Sequence, residues 1–298
     1  FHLSQLVDAD GEAGVAIVSG GPDPRETHLY RVSFRGGDPV KLTEGAGFHS
    51  ATFSKDHKTW IHSFQLLDGR VGARVETRDG RVLSELPSVA EPPPFLPAIE
   101  LTRVGGKEGR EAFDAVLIRP RDFRPGRKYP VILDVYGGPG AKVVRALPRA
   151  YLRDQWMADH GYIVVSLDGR GTPGRGRAWE RAIQGNLIDV ALEDQVAGLR
   201  ALGERYPELD LTRVGVTGWS FGGYFTAMAT IRRGDVFRCG VAGAPVTDWL
   251  DYDTHYTERY MGLPSANPEG YRKASVLTYA SELVRPLLLI HGLTDDNV

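Results

Sequence analysis

Five residues, Gly218-Trp219-Ser220-Phe221-Gly222, carry the spacing glycine–x–serine–x–glycine. They follow a short β-branched run, Val214–Thr217, and precede a run rich in helix formers, Gly223–Ala229. A serine on such a strand-to-helix turn projects its hydroxyl above the sheet edge, and the flanking glycines relieve the clash that a Cβ would cause. The N–H groups that open the helix then face an incoming negative charge. This is chemistry for acyl transfer, with Ser220 as the nucleophile. The alternative is a glycine-rich turn in which the serine only caps a helix.

A serine hydroxyl attacks only when a base takes its proton and an acid orients that base. On this kind of turn the chain order is serine, acid, histidine. The acid is expected after a later strand. Leu287–Ile290 is an apolar run that reads as a buried strand, and Asp295-Asp296-Asn297 follows it. Asp295 comes first and is the expected acid, although acidic residues also favour turns without any catalytic role. The eight histidines are His2, His28, His49, His57, His62, His160, His255 and His291, and none follows Asp295. His291 reads as structural rather than basic. The oxyanion of the intermediate needs two donors. One is the backbone N–H of Phe221. The other is expected from the glycine-rich loop Asp134-Val-Tyr-Gly-Gly-Pro-Gly140, where Tyr136 offers a hydroxyl.

These residues need a sheet edge and a helix to hold them. Beyond about residue 98 the expected strands are Phe113–Ile118, Tyr129–Tyr136, Tyr162–Leu167, Val214–Thr217, Phe237–Ala242 and Pro286–Ile290. Helical spacing appears in Leu152–His160, Leu187–Leu202 and Tyr224–Ile231. Strands apolar on both faces alternating with helices imply a mostly parallel sheet between helices. Residues 1–97 differ. His28–Phe34, Val40–Thr43, Thr59–Gln65, Arg74–Thr77 and Arg81–Ser84 are short strand candidates. Asp68-Gly69 and Asp79-Gly80 stand between them as hairpin turns. Repeated hairpins suggest propeller blades, a sandwich or a barrel. Glu91-Pro-Pro-Pro94 is a stiff break and the expected boundary, giving regions 1–97 and 98–298.

The 298 residues suffice for one large or two modest domains. With 42% apolar and 25% charged residues the chain is globular in composition. A net charge of −2 gives no reason to expect nucleic acid as a partner. The single cysteine, Cys239, excludes a disulfide framework and reads as a packing residue. No apolar run reaches ~18 residues, the length that spans a bilayer. The chain opens at Phe1 without a signal-peptide pattern and stops soon after an apolar strand, so it reads as an internal piece of a longer protein.

The chain resembles the prolyl oligopeptidase family of serine peptidases, and within it the dipeptidyl peptidase IV group. The resemblance runs across most of residues 110–298. It rests on Asp134-Val-Tyr-Gly-Gly-Pro139, Asp168-Gly-Arg-Gly171, Gly218-Trp-Ser-Phe-Gly-Gly-Tyr224, Tyr256-Thr-Glu-Arg-Tyr-Met-Gly262 and His291-Gly-Leu-Thr-Asp-Asp-Asn-Val298. It implies an α/β-hydrolase domain, residues 98–298, preceded by the closing blades of a β-propeller, residues 1–97. It implies Ser220 as nucleophile, Asp295 as triad acid and Tyr136 as oxyanion donor beside the Phe221 N–H. It implies a pocket for a proline or alanine side chain from Phe221, Val246, Trp249, Tyr252, Tyr256 and Val298, with Asn297 hydrogen-bonding a substrate carbonyl. Proline lacks an N–H and is flat and apolar, so an aromatic-walled slot suits it.

The implied activity is release of N-terminal dipeptides with Pro or Ala at the second position, through an acyl-enzyme. The implied partners are such peptides, with a homodimer left open. No metal or organic cofactor is implied. Export or membrane anchoring is the location that the resemblance suggests. Two rivals remain at this stage: another specificity within the family, oligopeptidase or acylaminoacyl peptidase, and a non-catalytic relative that acts as a binding protein. Phe221 stands where many relatives have Tyr, and the triad histidine is expected beyond Val298.

Overall fold

The computed structural model of the chain describes residues 1–106 and 112–298. The chain divides into two compact units. Phe1–Pro97 with Arg145–Leu152 forms the first, and Ala98–Val144 with Arg153–Val298 the second.

In the first unit, short strands that alternate in polarity can bury only one face, so they pair with sequence neighbours into small antiparallel sheets. Strands β1 (His2–Asp10), β2 (Val15–Gly21), β3 (His28–Ser33) and β4 (Val40–Lys41) form one sheet in that order. Strands β5 (Gly47–Phe53), β6 (Thr59–Leu66), β7 (Val71–Thr77) and β8 (Val82–Leu86) form a second, also in chain order. Two four-stranded meanders are the form of propeller blades. The Asp-Gly pairs close the β6–β7 and β7–β8 hairpins, and Gly69 and Gly80 take φ of 91° and 89°, values that a side chain resists. The sequence reading missed β1, β2 and β5.

One apolar cluster of this unit joins Ile17, Leu29 and Trp60, with Val7, Leu42, Ala51 and Phe53 against them. Three buried histidines lie beside it. The His28 and His49 rings stack at 4.8 Å, His49 and His62 at 5.2 Å, and His62 and Trp60 at 5.1 Å. Each ring nitrogen has a partner. His28 bonds Thr43 Oγ1 at 3.0 Å and Glu26 Oε2 at 2.9 Å. His49 bonds the Gly45 carbonyl and His62 Nε2, both at 3.0 Å. His62 Nδ1 bonds Glu76 Oε1 at 3.0 Å, and Arg74 Nε donates to the same oxygen. Burial pushes His49 down to about 4, because the low-dielectric surroundings disfavour its cation.

The second unit is built on a seven-stranded sheet. Its strands are β9 (Ile99–Gly105), β10 (Ala112–Ile118), β11 (Tyr129–Asp134), β12 (Ile163–Asp168), β13 (Leu209–Trp219), β14 (Phe237–Gly243) and β15 (Leu287–Ile290). The order is β15-β14-β13-β11-β12-β10-β9. The pairs from β15 to β12 are parallel, and β10 is antiparallel to both β12 and β9. Helices α1 (Leu152–Asp159), α2 (Arg177–Glu180), α3 (Asp189–Arg205), α4 (Phe221–Arg232), α5 (Thr254–Met261) and α6 (Pro268–Ala274) follow the same chain order. All six residues of β12 are buried, as a strand covered on both faces requires. Helix α4 is buried from Phe221 to Ile231 and lies against β13 and β14. Its close approach rests on Gly223, where a Cβ would stand 2.2 Å from the Gly243 carbonyl oxygen.

Leu287–Ile290 is a strand as expected, and among the described residues it pairs with β14 alone; Leu288 and Leu289 are each 57% exposed. One expectation needs correction: Cys239 is exposed on β14 and is not a packing residue. No helix among the described residues is long and apolar enough to cross a membrane.

Candidate active site

The turn between β13 and α4 holds Ser220 at φ 58° and ψ −119°. For a residue with a Cβ this conformation costs on the order of 1–3 kcal/mol, and only well-fixed surroundings sustain it. Here the fixing is local. The Ser220 N–H donates to the Gly243 carbonyl at 2.9 Å, and the Ser220 carbonyl accepts from the Tyr224 N–H at 2.9 Å. Gly218 and Gly222 do the rest. A Cβ at Gly218 would stand 2.4 Å from the Val135 carbonyl oxygen, and one at Gly222 2.2 Å from the same atom. The serine turn and the loop after β11 therefore touch backbone to backbone.

That contact brings Tyr136, the next residue of the loop, to the serine turn. Its ring centroid lies 5.7 Å from that of Phe221, the residue after the serine. Gly138 completes the approach, since a Cβ there would stand 2.3 Å from the Phe221 ring. Burial raises the Tyr136 hydroxyl above its ordinary value, and the nearby Tyr252 and Tyr260 hydroxyls push the same way. The phenol stays protonated at neutral pH and is available as a hydrogen-bond donor.

From Phe221 a continuous wall of rings extends. Phe221 lies 5.7 Å from Trp249, Trp249 lies 5.6 Å from Tyr252 and 5.9 Å from Tyr256, and Tyr252 meets Tyr256 edge-on at 5.5 Å. Val246 is buried in the same core, and Val298 packs against it. Asn297 Nδ2 donates to Tyr252 Oη at 3.4 Å. Tyr256 sits on α5, whose start is fixed by Asp253 Oδ1 accepting the Tyr256 N–H at 2.9 Å. Tyr256 Oη is buried without a protein hydrogen-bond partner among the described residues. Burial also raises the Tyr256 hydroxyl.

Asp295 follows β15 in an exposed turn. Its carboxylate accepts the N–H groups of Asn297 and Val298, both at 3.1 Å, and these bonds hold it below the usual carboxylate range. Asn297 thus links the turn of Asp295 to the aromatic wall. The histidines of this unit are exposed and turned to other tasks: His160 Nδ1 bonds the Trp156 carbonyl at 2.8 Å, and His291 Nδ1 the Gly292 carbonyl at 3.2 Å.

The structure therefore brings Tyr136, Phe221, Trp249, Tyr252, Tyr256 and Asn297 into one connected wall beside the Ser220 turn. Sequence reasoning missed Tyr260, whose ring lies 4.9 Å from Tyr256 and whose hydroxyl bears on Tyr136. Its four-residue spacing from Tyr256 on a helix was the available signal. Among the described residues no group of three His, Cys, Asp or Glu side chains is arranged to hold a metal ion.

Residues 148–298 match the model of the prolyl oligopeptidase family. Human dipeptidyl peptidase 8 is 37% identical over 293 residues, covering 92% of this chain and 32% of the relative. Mouse dipeptidyl peptidase 8 is 37% identical over 292 residues with the same coverage. The crystal structure of Porphyromonas gingivalis dipeptidyl peptidase 4 superposes with a TM-score of 0.89 at 31% identity, over 99% of this chain and 42% of that one. The chain spans about a third of the length of the curated relatives it matches. The matched range includes the serine turn, α5 and the turn of Asp295, and with half of the sequence inside it the chain belongs to the prolyl oligopeptidase family.

Proposed function

We propose that the chain is the catalytic portion of a serine dipeptidyl peptidase, which releases N-terminal dipeptides with Pro or Ala at the second position. In this reading residues 1–97 close an N-terminal propeller and residues 98–298 belong to the peptidase domain. Ser220 Oγ attacks the scissile carbonyl and forms a tetrahedral intermediate. Tyr136 Oη and the Phe221 N–H donate to its oxyanion. The serine proton passes to a histidine that follows Asp295 in the intact protein, and Asp295 orients that ring. The same proton then goes to the leaving amine, an acyl-enzyme forms on Ser220, and water hydrolyses it. Phe221, Val246, Trp249, Tyr252, Tyr256 and Val298 wall the slot for the proline ring, and Asn297 donates to a substrate carbonyl.

The observation that carries this reading is the strained Ser220 on its strand-to-helix turn, directly beside a wall of aromatic rings. The relatives' names, dipeptidyl peptidase 8 and dipeptidyl peptidase 4, support the peptide substrate class. The test uses the full-length protein and chromogenic amides. Gly-Pro and Ala-Ala amides are expected to be cleaved at least tenfold more efficiently than Gly-Leu or Gly-Lys amides. Trp249→Ala is expected to narrow that gap. Faster cleavage after Lys than after Pro overturns the slot. Equal cleavage of N-acetylated and free Gly-Pro amides overturns the dipeptidyl mode in favour of another specificity within the family.

A further inference from the structure

The run Asp168-Gly-Arg-Gly171 plays no part in the chemistry above, yet its carboxylate is buried. Asp168 ends β12, and its two oxygens accept two consecutive backbone N–H groups: Oδ1 from Val143 and Oδ2 from Val144, each at 3.0 Å. Those two residues close the loop that begins after β11 and carries Tyr136. The front of that loop is already fixed, because the Val135 N–H donates to the Thr217 carbonyl at 2.9 Å and the Val135 carbonyl sits against Gly218 and Gly222. The back is fixed by Asp168. Between the two clamps lie Gly137 at φ 73° and Gly140 at φ 88°, which hold little conformation of their own.

The remainder of the run holds Asp168 in place. The Arg170 guanidinium forms a two-pronged pair with Asp194 on α3, and the Arg170 N–H donates to Asp194 Oδ2 at 2.7 Å. Thr172 Oγ1 donates to the Gly169 carbonyl at 2.7 Å. A Cβ at Gly169 would stand 2.8 Å from the Asp194 side chain, and one at Gly171 2.6 Å from Ile183. The strand end that presents Asp168 is thus tied to α3 by a charged pair and by close packing.

We propose that Asp168 is a positioning residue for the oxyanion donor: by holding Val143 and Val144 it fixes the loop that places Tyr136 Oη. It touches neither substrate nor Ser220. This proposal rests on the role assigned to Tyr136 above. Only a carboxylate can accept both N–H groups with full strength, since protonation turns one oxygen into a hydroxyl. The charged groups around it are Asp114, its neighbour across the β10–β12 pair, and Lys142 in the loop; Asp114 is in turn paired with Arg103. Burial and Asp114 push Asp168 up to about 7, against the two N–H bonds and Lys142, so the clamp changes strength near neutral pH.

Two experiments test it in the full-length protein. In the first, Asp168→Asn is combined with Tyr136→Phe. Asp168→Asn is expected to lower kcat roughly tenfold with KM within twofold, and Tyr136→Phe is expected to cost much less in the Asp168→Asn background than in the wild type. Losses that multiply independently, a loss confined to KM, or an unchanged kcat overturn the proposal. In the second, amide hydrogen exchange of Val143 and Val144 is followed in the wild type and in Asp168→Asn from pH 5 to 9, corrected for the intrinsic rate. Protection is expected to be roughly tenfold lower in Asp168→Asn than in the wild type across this range, and equal protection in the two overturns the clamp. A wild type that cleaves no Gly-Pro amide while its Val143 and Val144 amides show this difference from the variant would defeat the peptidase reading and leave the clamp standing.

Discussion

The two units solve the same problem, filling an interior, with opposite chemistry. The blade unit has few large aliphatic residues inside, and its interior is completed by imidazoles whose nitrogens are all bonded, ending on the carboxylates of Glu26 and Glu76. The hydrolase unit is filled by aliphatic and aromatic side chains, and near Ser220 it leaves Tyr256 Oη buried without a protein partner among the described residues. A buried polar atom without a partner typically costs about 1–3 kcal/mol. The blade unit avoids that cost in its histidine stack. The hydrolase unit accepts it at the place where backbone strain also collects. Unmet hydrogen bonds and strain together mark the part of a fold that is shaped for something other than its own stability.

The largest expected effect breaks the chemistry of one unit and leaves both folds standing. Ser220→Ala in the full-length protein is expected to reduce turnover of a Gly-Pro amide by about 10⁶. An unchanged thermal transition measured alongside shows that the serine serves reaction and not stability. A variant that retains a tenth of the activity refutes its assignment as nucleophile. Tyr136→Phe comes next, with a loss of roughly 10²–10³ in kcat and little change in KM. A wild-type turnover number would reduce Tyr136 to packing.

Smaller effects test the contrast in packing. Gly222→Ala drives a methyl group into the Val135 carbonyl, whose oxygen cannot withdraw without moving the Tyr136 loop. A destabilisation of about 1–3 kcal/mol is expected by urea unfolding, together with loss of activity. Gly80→Ala, in a blade hairpin with open space around it, meets only the φ penalty of about 1 kcal/mol, so equal losses at both sites would erase the distinction. The smallest effect belongs to the histidine stack. His49 is held below its unfolded value of roughly 6.5, so the unfolded chain binds the proton first as pH falls. Stability is then lost progressively between about pH 6.5 and 4, by roughly 1–2 kcal/mol once solvent screening is allowed for. Hydrogen exchange in β5 and β6 reads this directly. Protection there that is flat over the range would show that burial does not govern the ring.

What was legible in the sequence follows from which signals are local. The Asp-Gly turns were legible because a positive φ on the second residue is a property of the dipeptide, and both pairs close hairpins. The serine turn was legible because its glycines must lie within two residues of Ser220. The aromatic wall was reached only through resemblance, since Phe221 lies on α4, Tyr256 on α5, and Trp249 and Tyr252 in the chain between them. β1 and β2 were missed because they do not alternate: the register of β1 shifts between Leu3 and Gln5 and between Leu6 and Asp8, and β2 is buried almost throughout. Asp168 and the histidine stack were equally hidden, because their partners come from distant positions in the chain.

The strand order also sets a clock. Chains emerge from the ribosome amino-terminus first, at roughly 5–20 residues per second. In this sheet the loop of Tyr136 follows β11 and Ser220 follows β13, whereas the turn of Asp295 arrives with β15, roughly 75 residues after the serine. During synthesis that interval is about 4–15 s. A nascent chain that has already closed β11, β13 and α4 holds the strained Ser220 turn before Asp295 has been made. Among the described residues β15 pairs with β14 alone, so its docking leaves β11, β13 and α4 as they are. In the proposed reading the nucleophile's turn is therefore finished some seconds before the residue that would orient its base has been made.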